Sequence, residues 1–196
     1  IKAVFKGLKL IDPNNPGDPA TWSDNAGWAL YNYLTQSWGE NVTVSGGGAV
    51  ADRCAELVGT APNQEARCRI GLTLSQRQPA EQWRETLRTY AECFVVPDGG
   101  GYLLIPDAPA ASEYTFDHAS GTLAGSLIAL GAIRRTGQAN LPTVMTVWYT
   151  DRSVTPYRDA ACDPVKRPGV DTGALPWRPQ EIRLNGIFTK SQATRV

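Results

Sequence analysis

The sequence predicts an α+β chain in two parts. Up to about residue 105, helical periodicities alternate with short strand-like runs. Beyond it long strand-like runs take over, interrupted by loops. The order strand, helix, helix, strand, helix, hairpin and then long strands fits no purely helical or purely sheet architecture, and a boundary is expected near residue 118.

Residues 1–11 alternate as a strand, with Val4, Leu8 and Leu10 on one face and Lys2, Lys6 and Lys9 among exposed positions. The proline- and asparagine-rich run 12–19 is a loop. Residues 22–39 then predict a short capped helix. Ser23, Asp24 and Asn25 offer oxygens to its first turn, and Gly39 permits a left-handed exit. Its expected apolar stripe is Trp28, Tyr31 and Leu34, extended by Leu30 and Trp38. Gly46, Gly47 and Gly48 make a joint before a second helix at about 49–58, where Val50, Cys54, Leu57 and Val58 form a stripe and Gly59 the stop.

Residues 66–74 read as a strand with Cys68, Ile70 and Leu72 on one face. The third helix opens at Pro79, takes Glu81 into its first turn, and lines Trp83, Leu87, Tyr90, Ala91 and Phe94 along one face. Arg84, Glu85 and Arg88 fall on the solvent side. Two runs flanking Asp98-Gly99-Gly100-Gly101 predict a β-hairpin. After the loop 107–112 come strands at 113–116, 127–133 and 144–149, a proline-rich loop at 151–180, a strand at 181–188 and the beginning of a helix. Ile1 opens the chain inside a strand-like run, so the sequence is expected to be an internal piece of a longer polypeptide.

Composition narrows the functional classes. Hydrophobic residues make up 42% and charged residues 19%, which are globular values. Lys plus Arg and Asp plus Glu number 19 each, so there is no basic excess of the kind a general nucleic-acid or membrane-surface binder needs. No apolar run reaches the ~20 residues that cross a bilayer, and no stretch reads as a signal peptide, so neither a membrane span nor a signal peptide is expected in these residues.

The four cysteines, Cys54, Cys68, Cys93 and Cys162, are widely spaced, with no CxxC pair and a single histidine, His118. They read as reduced structural thiols rather than zinc ligands. Asp117 and His118 are neighbours whose side chains point apart in a strand, so they make no acid–base pair. Asp12, Asp18 and Asp24 suit turns and a helix cap rather than a calcium loop. The glycine triplets match no phosphate-binding pattern. Arg134 and Arg135 are the preferred electrostatic contact, and Trp177 an exposed aromatic contact. No catalytic residue, metal or cofactor is expected.

A series of phrases runs through the chain. It begins with Phe5-Lys6-Gly7-Leu8-Lys9, then Trp22-Ser23-Asp24-Asn25 with Ala29-Leu30-Tyr31 and Leu34-Thr35, and Ala51 to Val58 (ADRCAELV). It continues with Glu65-Ala66-Arg67-Cys68, the helix from Gln76 to Phe94 and the hairpin DGGGYLLIPDAPA. It closes with Arg183-Leu184-Asn185-Gly186-Ile187 and Ser191-Gln192-Ala193. In this order the series resembles the host-specificity protein J family, the central tail-tip hub (tip attachment) proteins of lambda-like long-tailed phages. The segment that is basic and aromatic in that family is reduced here to Arg134-Arg135-Thr136, and 151–180 has no counterpart.

The resemblance implies a structural virion protein at the phage tail tip, not an enzyme. Residues 1–22 would end a preceding β domain and its linker. Residues 23–117 would form an α+β domain of three helices, strands and a β-hairpin that decorates the hub. Residues 118–196 would begin an antiparallel, tube-like β domain. Implied partners are two further copies in a homotrimer, other tail-tip and tail-tube proteins, the tape measure protein, and DNA in transit through the lumen. A host receptor would be engaged by regions outside this sequence, without stable membrane insertion. The competing classes are a tail-associated peptidoglycan hydrolase, which calls for paired carboxylates or a Cys–His pair, and a glycan-binding module, which calls for adjacent exposed aromatics.

Overall fold

The computed structural model describes residues 7–62, 64–72, 74, 77–109, 141–154 and 157–195. Among them the chain is an α+β mixture, with four helices set among short sheets. The expected strands at 113–116 and 127–133 and the expected boundary near 118 lie outside the described residues.

The chain enters through β1 (Lys9–Leu10), antiparallel to β2 (Thr21–Trp22) across the predicted loop. Helix α1 (Ala26–Thr35) follows, capped by Asn25, whose Oδ1 accepts from the N–H groups of Gly27 and Trp28. Ser23 and Asp24 do other work. The Ser23 hydroxyl accepts from the Asn25 N–H, and the Asp24 carboxylate pairs with Arg69. The buried face of α1 is Ala26, Leu30, Tyr33 and Leu34, whereas Trp28 and Tyr31 are half-buried and Trp38 is 47% exposed. The expected stripe was thus rotated toward the tryptophans. Gly27 is where α2 approaches: a Cβ there would stand 3.0 Å from the Ala51 backbone.

The helix exit also differs from expectation. Gly39 is not left-handed; that role falls to Asn41, at φ 54°. Gly39 instead lets the chain fold back over the helix end, where a Cβ would overlap the Tyr33 carbonyl oxygen. The fold-back gives that carbonyl the Glu40 N–H at 2.9 Å and gives the Leu34 carbonyl the Val42 N–H at 2.8 Å.

After β3 (Val44–Ser45), helix α2 (Gly47–Ala55) buries Val50, Ala51 and Cys54. It ends before Leu57 and Val58, which form β4 (Leu57–Val58), antiparallel to β5 (Glu65–Ala66). Leu57 is exposed, so it belongs to no helical stripe. The stretch 66–72 alternates as predicted, with Cys68 and Ile70 buried and Leu72 half-buried. Beyond β5 it is extended chain bridged to the rest at Asn25 and Arg69.

Helix α3 (Ala80–Tyr90) takes Pro79 as its N-cap and buries Leu87 and Tyr90. Arg84 is not solvated as expected. It pairs with Glu40 at 3.1 Å, donates to the Tyr102 hydroxyl at 2.7 Å and lies over that ring. Strands β6 (Cys93–Asp98) and β7 (Gly101–Pro106) form the predicted hairpin, whose two-residue turn, Gly99-Gly100, has both φ angles positive. β3 adds in parallel to β7.

The second sheet centres on β8 (Val144–Asp151). Along one edge lie β9 (Arg158–Ala161) and β10 (Val165–Lys166), both antiparallel and both inside the stretch expected to be loop. The other edge carries β11 (Pro179–Arg183), parallel to β8, so this sheet is mixed where the resemblance implies an antiparallel one. The described strands close no barrel. Helix α4 (Lys190–Arg195) then docks back on the first half. The Gln192 amide donates to the Arg69 carbonyl at 2.9 Å, Arg195 donates to the Arg67 carbonyl at 2.9 Å, and the Gly71 N–H donates to the Gly186 carbonyl at 3.0 Å. One apolar cluster consequently runs from Leu30, Val50 and Cys68 through Leu87 and Leu104 to Tyr149, Cys162 and Ile187.

Candidate functional site

Of the side chains expected to make contacts, Arg134 and Arg135 lie outside the described residues, as do Asp117 and His118. Trp177 is described and is 58% exposed. The Lys166 ammonium sits 5.7 Å from its ring centre and also pairs with Asp171 at 2.7 Å. Val165 on β10 is exposed as well. A second exposed apolar group stands on the outer face of the hairpin, where Phe94 opposes Ile105 and Val96 flanks them.

All four cysteines are free and buried. Cys54 and Cys68 adjoin in the core: the Cys68 N–H donates to the Cys54 carbonyl at 3.1 Å, and the Cys54 thiol points to the Ala91 carbonyl at 3.5 Å. The Cys54 thiol and burial together push Cys68 far above the ordinary thiol range. Burial pushes Cys93 up to about 12. Thiols held protonated in this way are poor nucleophiles and poor metal ligands. Among the described residues, no group of three or more His, Cys, Asp or Glu side chains could hold a metal ion.

Two cavities flank the Phe188 ring at the junction of the halves. The smaller, about 380 Å³, is charged. Arg69 and Asp24 pair on one wall, Lys190 holds Asp163 at 2.7 Å, and Arg152 stacks on Phe188. Burial, helped by the positive charge of Arg69, lowers the Arg152 pKa. Here each of Arg69 and Lys190 already has a carboxylate.

The larger cavity, about 460 Å³, is of another kind. Three aromatic side chains wall it: Trp83 and Tyr90 from one face of α3, and Phe188 from the turn before α4. Thr150 at the end of β8 and Asn185 and Gly186 in the 184–188 turn complete the rim. Gly186, at φ 96°, places the turn against Leu72. The volume lies within the ~300–1,000 Å³ usual for small-molecule sites. Tyr90 is only 5% exposed, and burial raises its phenol above the ordinary value, so the hydroxyl stays protonated. Among the described residues that hydroxyl has no hydrogen-bond partner; nor do the side chains of Trp83, Thr150 and Asn185. Arg183, also on the rim, is engaged by Asp159 at 3.2 Å and by the Trp148 ring.

Sequence reasoning places Trp83 and Tyr90 together on one helix face as core; Tyr90 is in the apolar cluster and Trp83 packs against it, and both also line the cavity. Thr150, Asn185 and Phe188 are separated from them by sixty residues or more, and no local pattern marks them as neighbours. Comparison with known proteins found no family model and no curated protein that matches this chain.

Proposed function

We propose that this chain is a structural part of the trimeric tail-tip hub of a long-tailed phage. In this reading it helps to close the end of the tail tube, links it to host attachment, and gives way when DNA passes. The observation that carries the reading is the ordered series of phrases from Phe5 to Ala193, which spans nearly the whole sequence. The exposed apolar groups at Phe94, Val96 and Ile105 and at Trp177 support it, because such surfaces are commonly covered by partner subunits. The work of such a protein is burial and release of interfaces rather than bond chemistry. Its partners would be two further copies, neighbouring tail-tip and tail-tube proteins and the tape measure protein.

The test is the oligomeric state of the longer parent chain, measured by analytical ultracentrifugation and by electron microscopy of the purified assembly. Three-fold symmetry is expected. A monomer, or a dimer without a three-fold axis, would overturn the reading, and lysis of purified peptidoglycan would favour the hydrolase class instead.

A further inference from the structure

We infer that the cavity between α3 and the 184–188 turn is a binding site for a neutral saccharide. Ligand sites are typically concave, lined by apolar and aromatic side chains and supplied with a few convergent polar groups, and this cavity has aromatic walls and such groups. Tyr90 is a buried residue that lines the cavity, and among the described residues its hydroxyl has no protein partner, which leaves it open to a ligand. A ligand hydroxyl placed in the cavity would satisfy it.

The surrounding chemistry selects the class of ligand. Aromatic surfaces of Trp83 and Phe188 offer apolar walls to the C–H faces of a sugar ring. Arg152 stacks on Phe188 and lines only the neighbouring charged cavity, so that ring acts as a partition. The indole N–H of Trp83 donates only, the Thr150 and Tyr90 hydroxyls both donate and accept, and the Asn185 amide does both at once. Neutral groups of this kind match ring hydroxyls and acetamido groups. A phosphate or carboxylate would need a free cation, and the rim's Arg183 is already paired with Asp159. A site built to hydrogen-bond hydroxyls discriminates strongly, because a ligand lacking them leaves its polar groups unpaired.

The inference is independent of the hub reading: a monomeric parent would not affect it, and an empty cavity would leave the trimer untouched. It is tested on the full 196-residue chain by calorimetric titration and saturation-transfer NMR with glucose, galactose, N-acetylglucosamine, maltose, lactose and chitobiose. Saturable binding of at least one is expected. Tyr90→Phe removes only the unpartnered oxygen, so the fold should persist while binding weakens roughly five- to tenfold, the worth of one hydrogen bond. Exposed Asn185→Ala should weaken binding severalfold with an unchanged circular dichroism spectrum. If none of the six saccharides binds, or if binding is the same in both variants, the inference is overturned. Preferential binding of inorganic phosphate would overturn it too.

Discussion

Asn32 is a polar side chain in the apolar interior, and every one of its hydrogen bonds is specific. Its Oδ1 accepts from the Ile11 N–H at 2.8 Å, and its Nδ2 donates to the Ile11 carbonyl at 2.8 Å and the Trp28 carbonyl at 2.9 Å. The side chain mimics a strand partner, fastening the segment after β1 to helix α1. Asn32→Ala would leave both Ile11 backbone groups without a partner, at a cost of about 2–4 kcal/mol in denaturant-derived stability. Asn32→Ser, which retains a short polar group, should lose nearly as much, because it cannot reach both Ile11 groups. A loss below about 1 kcal/mol for Asn32→Ala would show that water replaces the amide. Tyr90 is the opposite case: its hydroxyl has no protein partner among the described residues, so removing it should barely change folding. The contrast separates a polar group kept for architecture from one available to a ligand.

The β6–β7 hairpin shows how much an element's pattern reveals. Cross-strand pairs alternate between the core side, with Val95 opposite Leu104, and the outer side, with Phe94 opposite Ile105. Leu104 is 2% exposed, so Leu104→Ala should cost about 2–5 kcal/mol through lost burial and the cavity left behind. Phe94→Thr, on the half-exposed outer face, should change stability by less than about 1 kcal/mol. Equal losses at both positions in urea unfolding would mean the outer face is covered. The hairpin was legible because its turn chemistry and its period of two are local. Helices α1 and α2 were legible as helices and in part of their buried faces: Leu30, Leu34, Val50 and Cys54 are buried as expected, whereas Trp28 and Leu57 are not. Their mutual contact sets Gly27 against the Ala51 backbone, where the lack of a side chain lets the axes approach, and leaves the larger Trp28 half-buried; Leu57 lies beyond the end of α2, on β4. Strands β9 and β10 were hidden because they are short, proline-flanked and stabilised by β8 rather than by their own residues.

The two halves share one core, stitched by α4 and the turn before it. Ile187 is fully buried, and Gln192, 1% exposed, reaches back to the Arg69 carbonyl. Thermal unfolding should therefore occur in one transition, with circular dichroism and tryptophan fluorescence giving the same midpoint. Gln192→Ala should lower that midpoint by several degrees, from a loss of about 1–3 kcal/mol. Two separated transitions would mean that the α4 contacts do not couple the halves. The larger cavity exists only because of this stitching, since α3 supplies one wall and the 184–188 turn the other.

Local rules thus carry the α+β class, the helix cap at Asn25, the glycine turn of the hairpin and the buried, unpaired state of the cysteines. Each depends on interactions within a few residues or on composition. The parallel placement of β11, the pairing of Arg84 with Glu40 and Tyr102, and the meeting of Trp83, Tyr90 and Phe188 depend on contacts between distant segments. No periodicity encodes such meetings, because they arise from which faces pack together once the elements exist. Tyr90 makes the distinction concrete: its spacing on α3 marks it as a core residue, which it is, and only the returning chain reveals that it also borders a cavity.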